Sequence, residues 1–333
     1  MIIYEYTNKM YIARQDLRQI RRIIVADYRE IVDYILGIPL FAQKIGKENL
    51  SSLLCRLGNP EKAIPAVHVA GTNGKGSTCR ALAQMLTGMG YRVGLFTSPH
   101  LVSINERIQI DGENISDADF VWAFETVKEK FTQHPSFFEV MFAMAAVYFR
   151  EKKCDFVVYE TGMGGRLDAT NVLMPELSII TSVGMDHMEY LGDTIEKIAA
   201  EKAGIIKPGI PIIYFKRDEA VAKVIEDTAR GQKSPVIPVE KQDYIINHLG
   251  DKTIDFSLHS RYYSYCNLVI QKTSLYQLEN ISLAVMAFYG LMKAQNASEE
   301  DIEKGIRETL PEFYWEGRME EIAPHIYVDG AHN

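Results

Sequence analysis

The chain has 333 residues, 47% of them hydrophobic, enough to bury a substantial core in one large domain or two smaller ones. Its net charge of −8 offers no basic field to duplex nucleic acid or an anionic membrane, and its four scattered cysteines have neither metal-ligand spacing nor a disulfide pattern. No leader peptide opens the chain and no apolar run is long enough to span a bilayer, so a cytoplasmic protein with small-molecule partners, without nucleic acid or membrane, is expected.

Residues 1–24 mix polar side chains with a basic cluster and carry no period, so a non-native or disordered extension is expected there. Arg21-Arg22 can be encoded as AGGAGG and Val25 as GTG, which would start translation at Val25; a frayed native extension is the equal alternative. VADYREIVDYIL then opens an amphipathic helix. From Ala66 onward, short β-rich runs (AVHVA, YRVGLF, DFVVYE, LSIITSV, PIIYF) alternate with helical patterns. That rhythm predicts an α/β fold, a mainly parallel sheet with helices on both faces. Helices are expected over 76–89, 117–132, 137–152, 194–203, 218–230, 277–294 and 298–309. The alternating stretch 244–272, broken at Gly250-Asp251 and His259-Ser260, predicts a small antiparallel edge sheet. PSFFEVMFAMAAVYF is read as core before it is read as a pocket for a flat ring.

The stretch VAGTNGKGST, Val69 to Thr78, joins the first buried strand to a helix. Such a loop aims backbone N–H groups and a helix N-terminus at phosphate oxygens. Gly71, Gly74 and Gly76 let the backbone approach the ligand, Thr72 and Asn73 complete the loop, Lys75 supplies a cation for the β/γ-phosphates, and the Ser77 hydroxyl can reach phosphate or Mg²⁺. It departs from the usual G-x-x-x-x-G-K-[ST] by a glycine between lysine and serine.

VVYETGMGGRLDATNV places Glu160 at the carboxyl end of an apolar strand, where open α/β sheets bind ligands and where a carboxylate can hold Mg²⁺. On its own, a lone glutamate is more often solvated. His187 follows another apolar strand and by itself would be an ordinary surface or core histidine. Lys202 shares an apolar helical stripe with Ile195, Ile198 and Ala199. Burial there lowers an amine's pKa and makes it a nucleophile toward CO₂, whereas a snorkelling lysine would keep its head in solvent.

GTNGKGS, preceded by HVA, resembles the nucleotide loop of the Mur ligase superfamily and most closely its folylpolyglutamate synthase and dihydrofolate synthase branch. The inserted glycine is characteristic of that branch. The second signature around Glu160, the DH...LG.T...IA.EKAGI pattern over Asp186–Ile205, TSPHLVSINERIQIDG, and the late YQLENISLAVMA, WEGR and DGAHN segments follow in the family's order. The resemblance covers 26–333. It implies ATP and Mg²⁺ at two sites, with Ser98, Glu160 and His187 as metal ligands, and Lys75, Glu160, His187 and Lys202 as the catalytic set. It further implies carbamylation of Lys202, adenine contact by Asn280, phosphate contact by Arg318, and an Asp329–His332 pair facing the nucleotide. Arg107 is expected to fix the loop that carries Ser98. WEGR replaces the more usual W-P-G-R.

The implied reaction is ATP-dependent addition of L-glutamate to a folate or dihydropteroate carboxylate through an acyl phosphate, by a monomer. Residues 25–310 are expected to form the ATP-binding central domain. Residues 311–333 would be a linker and the start of a Rossmann-like ligase domain that the sequence lacks. The rivals are a nucleotide-binding fragment without ligase turnover and another Mur-type peptide ligase, although only 70 residues precede Gly71, too few for a UDP-sugar domain.

Overall fold

The computed structural model describes residues 27–38, 48–133, 135–271, 274–318, 320–323 and 326–330. The extension 1–24, the start at Val25 and His332 lie outside them.

Among the described residues, two helices, α1 (27–36) and α2 (Glu48–Arg56), precede the first strand. Five parallel neighbours follow from the predicted runs: β1 (Ala66–Ala70), β2 (Val93–Phe96), β5 (Phe156–Glu160), β6 (Leu177–Ile180) and β7 (Ile212–Lys216). Short β3 (Ile108–Ile110) and β4 (Glu113–Asn114) pair antiparallel beyond β2, and β8 (Val236–Glu240) adds a parallel strand at the other edge. The eight-stranded order is β4-β3-β2-β5-β1-β6-β7-β8. Strand alternation explains how both faces are covered. Val67 and Val69 of β1, Phe156 and Val158 of β5, and Leu177 and Ile179 of β6 share one core with α3 (Lys75–Gly88), α9 (Gln277–Ala294) and α10 (Glu299–Thr309). Val157 and Tyr159 face the opposite core, built on α4 (Asp117–Lys128) and α5 (Phe137–Glu151). Farther along that face, Ile180, Ile212 and Tyr214 meet α7 (Ile195–Ala203) and α8 (Glu219–Gly231).

The expected antiparallel strands are present as β9 (Tyr244–Leu249), β10 (Thr253–His259) and β11 (Ser264–Gln271), turning where predicted. They form their own sheet, whose Ile254, Phe256, Leu258, Leu268 and Ile270 seal the core beside α9; the main sheet's antiparallel margin is instead β3-β4. The PSFFEVMF segment is core: α5 is buried from Val140 through Phe149, and its first turn is closed by a capping box between Ser136 and Glu139. None of the described helices is long and apolar enough to cross a membrane.

Candidate nucleotide and metal site

The glycine loop joins β1 to α3 at the carboxyl edge of the sheet. Glycine is required at Gly71 and Gly74 by close approach. A Cβ on the first would lie 1.8 Å from Thr181 Oγ1, and one on the second, at φ 86°, 2.0 Å from Asn280 Oδ1. The segment after β6 clamps the loop. Thr72 N–H donates to Ser182 O (2.7 Å), Asn73 O accepts from Thr181 Oγ1 (2.7 Å), and the Thr72 hydroxyl accepts from Gly184 N–H (3.0 Å). Thr72 therefore shapes the loop, Asn73 is exposed, and Gly76 and Ser77 are buried at the first turn of α3. The bare Gly76 position lies against Trp315 and Glu160, a cradle that a Cβ would fill.

Lys75 Nζ donates to the carbonyls of Gly71 and Thr72, 3.2 Å each, and lies 3.9 Å from Glu160 Oε1. Glu160, at the end of β5, is only 3% exposed, and its Oε2 accepts Ser98 N–H at 3.0 Å. Burial pushes its carboxyl above the usual carboxylate range, against the opposing pull of Lys75, the Ser98 N–H, Arg318 and Arg107. A cavity of about 330 Å³ opens on this group, lined by Gly76, Arg80, Ser98, Glu160, Trp315 and Arg318 among others. No cluster of three or more His, Cys, Asp or Glu suited to a metal exists among the described residues. A buried carboxylate and a serine on a polar cavity nevertheless fit Mg²⁺, which takes few protein ligands and keeps its waters.

Ser98 is positioned by the loop 98–107, which is folded around Glu106: its carboxylate accepts the N–H groups of Leu101, Val102 and Ser103. As expected of a loop-fixing residue, Arg107 donates from Nε to His100 Nδ1 (2.8 Å), stacks over Phe137, and accepts Thr97 N–H at its carbonyl.

Lys202 is 2% exposed and donates to Gly71 O at 2.9 Å, so both lysines converge on the same loop carbonyl. Burial, reinforced by the charge of Lys75 and opposed by Asp186, lowers its pKa to about 7. The snorkelling alternative does not hold here. Flush packing sets this position: Gly165 and Gly204 accommodate α7 and Arg166, where any Cβ would come within 2.8 Å and 2.3 Å of a neighbour, and Arg166 N–H donates to Glu201 O. His187 caps the short helix α6 (Met188–Leu191) with φ 48°; its half-exposed ring lies 3.5 Å from Asp186 Oδ2. His187 is thus next to Asp186, whose charge reaches Lys202, but outside the Ser98–Glu160 cavity.

The late motifs return to the same loop. Asn280, in the first turn of α9, packs its amide on Gly74 and donates to Gln277 Oε1 (2.7 Å), while Thr78 Oγ1 donates to its backbone carbonyl (3.4 Å). Arg318 lines the cavity and lies against Gly330, whose N–H donates to Gly317 O (2.8 Å); Asp329 accepts from the Tyr276 hydroxyl (2.8 Å).

Sequence reasoning passed over Asp168, Asp186, Arg80 and Trp315. Buried Asp168 holds the glycine turn after Glu160: Oδ2 accepts Gly162 and Met163 N–H (2.9 and 3.0 Å), and Oδ1 accepts Thr170 N–H (2.9 Å). An aspartate two residues before a threonine is a local N-cap signal that could have found it. Asp168→Ala orphans these donors and is expected to cost on the order of 3 kcal/mol in urea unfolding. A loss below about 1 kcal/mol would mean the turn holds without it.

A phosphate loop on a parallel sheet, facing a buried carboxylate and a depressed lysine, defines a Mur-type nucleotide-binding domain, and residues 69–297 match the Mur ligase middle domain family. The chain is 40% identical to the dihydrofolate synthase/folylpolyglutamate synthase of Bacillus subtilis (strain 168), over 92% of its own length and 73% of that protein. It is 34% identical to the folylpolyglutamate synthase of Lacticaseibacillus casei, over 92% and 74%. A folylpolyglutamate synthase solved with AMPPCP and folate superposes with a TM-score of 0.85 at 34% identity, covering 92% of this chain and 77% of that one. The chain belongs to the folylpolyglutamate synthase and dihydrofolate synthase family of Mur ligases.

Proposed function

We propose that this protein joins L-glutamate to the carboxylate of a folate or dihydropteroate acceptor at the expense of ATP. The observation that carries this reading is the meeting of Gly76 of the glycine loop, Glu160, Ser98 and Arg318 at one cavity, with Lys75 3.9 Å from the Glu160 carboxylate and the Lys202 amine bonded to Gly71 O of the same loop. The relative solved with AMPPCP and folate supports the substrate classes.

A carboxylate is a poor electrophile because its charge is delocalised. Transfer of the γ-phosphoryl group to an acceptor carboxylate oxygen breaks the bond to ADP and gives an acyl phosphate. The glutamate amine then attacks the acyl carbon, phosphate leaves from the tetrahedral intermediate, and the amine's proton passes to solvent. The loop amides and Lys75 bind the triphosphate and neutralise charge on the group in transfer, and Arg318 adds a second cation. Mg²⁺ on Glu160 and Ser98 would supply further charge neutralisation. Lys202, as a neutral amine, adds to CO₂, forming a carbamate and releasing one proton; that anion and His187 would hold a second Mg²⁺. Asn280 takes the adenine side, and Asp329 is assigned to the nucleotide. The protein acts as a monomer in this reading.

The test is ATP-dependent incorporation of labelled L-glutamate into dihydropteroate or tetrahydrofolate, with phosphate release measured alongside. Product formation with matching phosphate is expected. Mg-ATP binding without product from either acceptor would leave a nucleotide-binding module.

A further inference from the structure

Arg80 lies on α3 five residues after Lys75 and lines the same cavity as Ser98 and Glu160. Its guanidinium is 5.9 Å from the centroid of the Trp315 ring, and Gly112, at φ 86°, passes so close that a Cβ there would be 3.0 Å from Nη1. Nη1 reaches Gln109 Oε1 only at 3.4 Å, and the buried Nε has no hydrogen-bond partner. Glu113 and Glu316 act on it electrostatically, yet burial prevails and holds its pKa below the ordinary guanidinium value. A planar fork of five donors, fixed against an indole and left with one long bond, is matched to a planar anion.

We propose that Arg80 anchors a carboxylate of the amino-acid substrate class, with Trp315 holding the guanidinium plane at the cavity wall. This rests on the ligase reading above, in which two sources bring such a carboxylate: free L-glutamate, or the glutamyl tail of an acceptor already glutamylated. The anchored carboxylate is not the one phosphorylated. Arg80 selects and orients, and the Trp315 ring beside its guanidinium also lies against the bare Gly76 position one turn earlier on α3.

The experiment is equilibrium binding in the presence of Mg²⁺ and AMPPCP, comparing the unsubstituted protein with Arg80→Met and Arg80→Lys. The probes are L-glutamate, folic acid, and pteroic acid, which lacks the glutamyl tail. Losing a charge-assisted fork is expected to weaken the anchored probe roughly tenfold or more in Arg80→Met, with a smaller loss in Arg80→Lys, which keeps the charge but not the fork. Weakened L-glutamate identifies the free amino acid; weakened folic acid with unchanged pteroic acid identifies the tail. Melting temperature and AMPPCP affinity verify that each variant is folded. Equal affinities for both carboxylate probes in all three proteins, or no binding of either by the unsubstituted protein, would overturn the inference. Absence of glutamylated product from the unsubstituted chain strikes the ligase reading instead, and the binding contrast still reports on Arg80.

Discussion

Glu160→Gln is expected to lower the rate of glutamate incorporation by about 100-fold or more while raising the melting temperature. The two effects have one cause. The Glu160 carboxylate is buried 3.9 Å from Lys75, and burial lifts its pKa above the value it has in an unfolded chain. The native state therefore binds more protons than the unfolded state between those two pKa values. The cost of the buried charge is absent below the unfolded value and is felt in full once pH passes the folded one. A glutamine removes that cost and its amide oxygen still accepts Ser98 N–H, so the fold gains. On the proposed reading, Mg²⁺ and the phosphates would lose the anion that organises them, so chemistry suffers. Calorimetry at pH 7 together with steady-state rates at several Mg²⁺ concentrations checks both halves. A variant with unchanged Mg²⁺ dependence would remove Glu160 from the metal site.

How far the site could be read from sequence follows from how far apart its parts lie in the chain. The phosphate cradle is nearly contiguous, from Gly71 to Ser77, and every residue type in it has a local reason, so it was legible without any relative. Lys202 was legible as well, because a lysine on an apolar stripe at i+7 poses an energetic problem that burial then confirms. Ser98, Asn280 and Arg318 were visible only through resemblance, since nothing local distinguishes a loop hydroxyl from a ligand. Arg80 was invisible because its partner Trp315 lies 235 positions away, in the WEGR segment, and nothing local to α3 points to it. The same holds for the fold. The 18 residues of α9 have a complete helical period and their bounds were predicted, whereas β3 and β4 are too short for any period, and β8 carries Pro238 in a half-buried edge run. Alternation over 244–272 disclosed antiparallel strands but not their partner. Which sheet they join depends on the apolar faces of α9 and α10, which no local pattern encodes.

Lys202→Ala should abolish most turnover, by about 100-fold or more, and added acetate should restore part of it by supplying a carboxylate in place of the proposed carbamate. The cause lies in the ammonium. Held on Gly71 O with almost no exposure, its pKa falls from 10.5 to about 7, so the free amine is abundant at pH 8 and scarce at pH 6. Activity at fixed total CO₂ is accordingly expected to fall as pH drops through 7, and ¹³C-bicarbonate should give a carbamate carbon signal that Lys202→Ala lacks. Stability moves in the same direction. Between about 7 and 10.5 the unfolded chain binds a proton at Lys202 that the native state does not, so the native state gains stability as pH rises across that window. In CO₂-free buffer, Lys202→Met escapes this dependence, and its advantage in melting temperature over the unsubstituted protein should shrink from pH 6 to pH 10. A constant advantage would show that the amine is not desolvated in the native state, and without a desolvated amine the carbamate has no chemical origin.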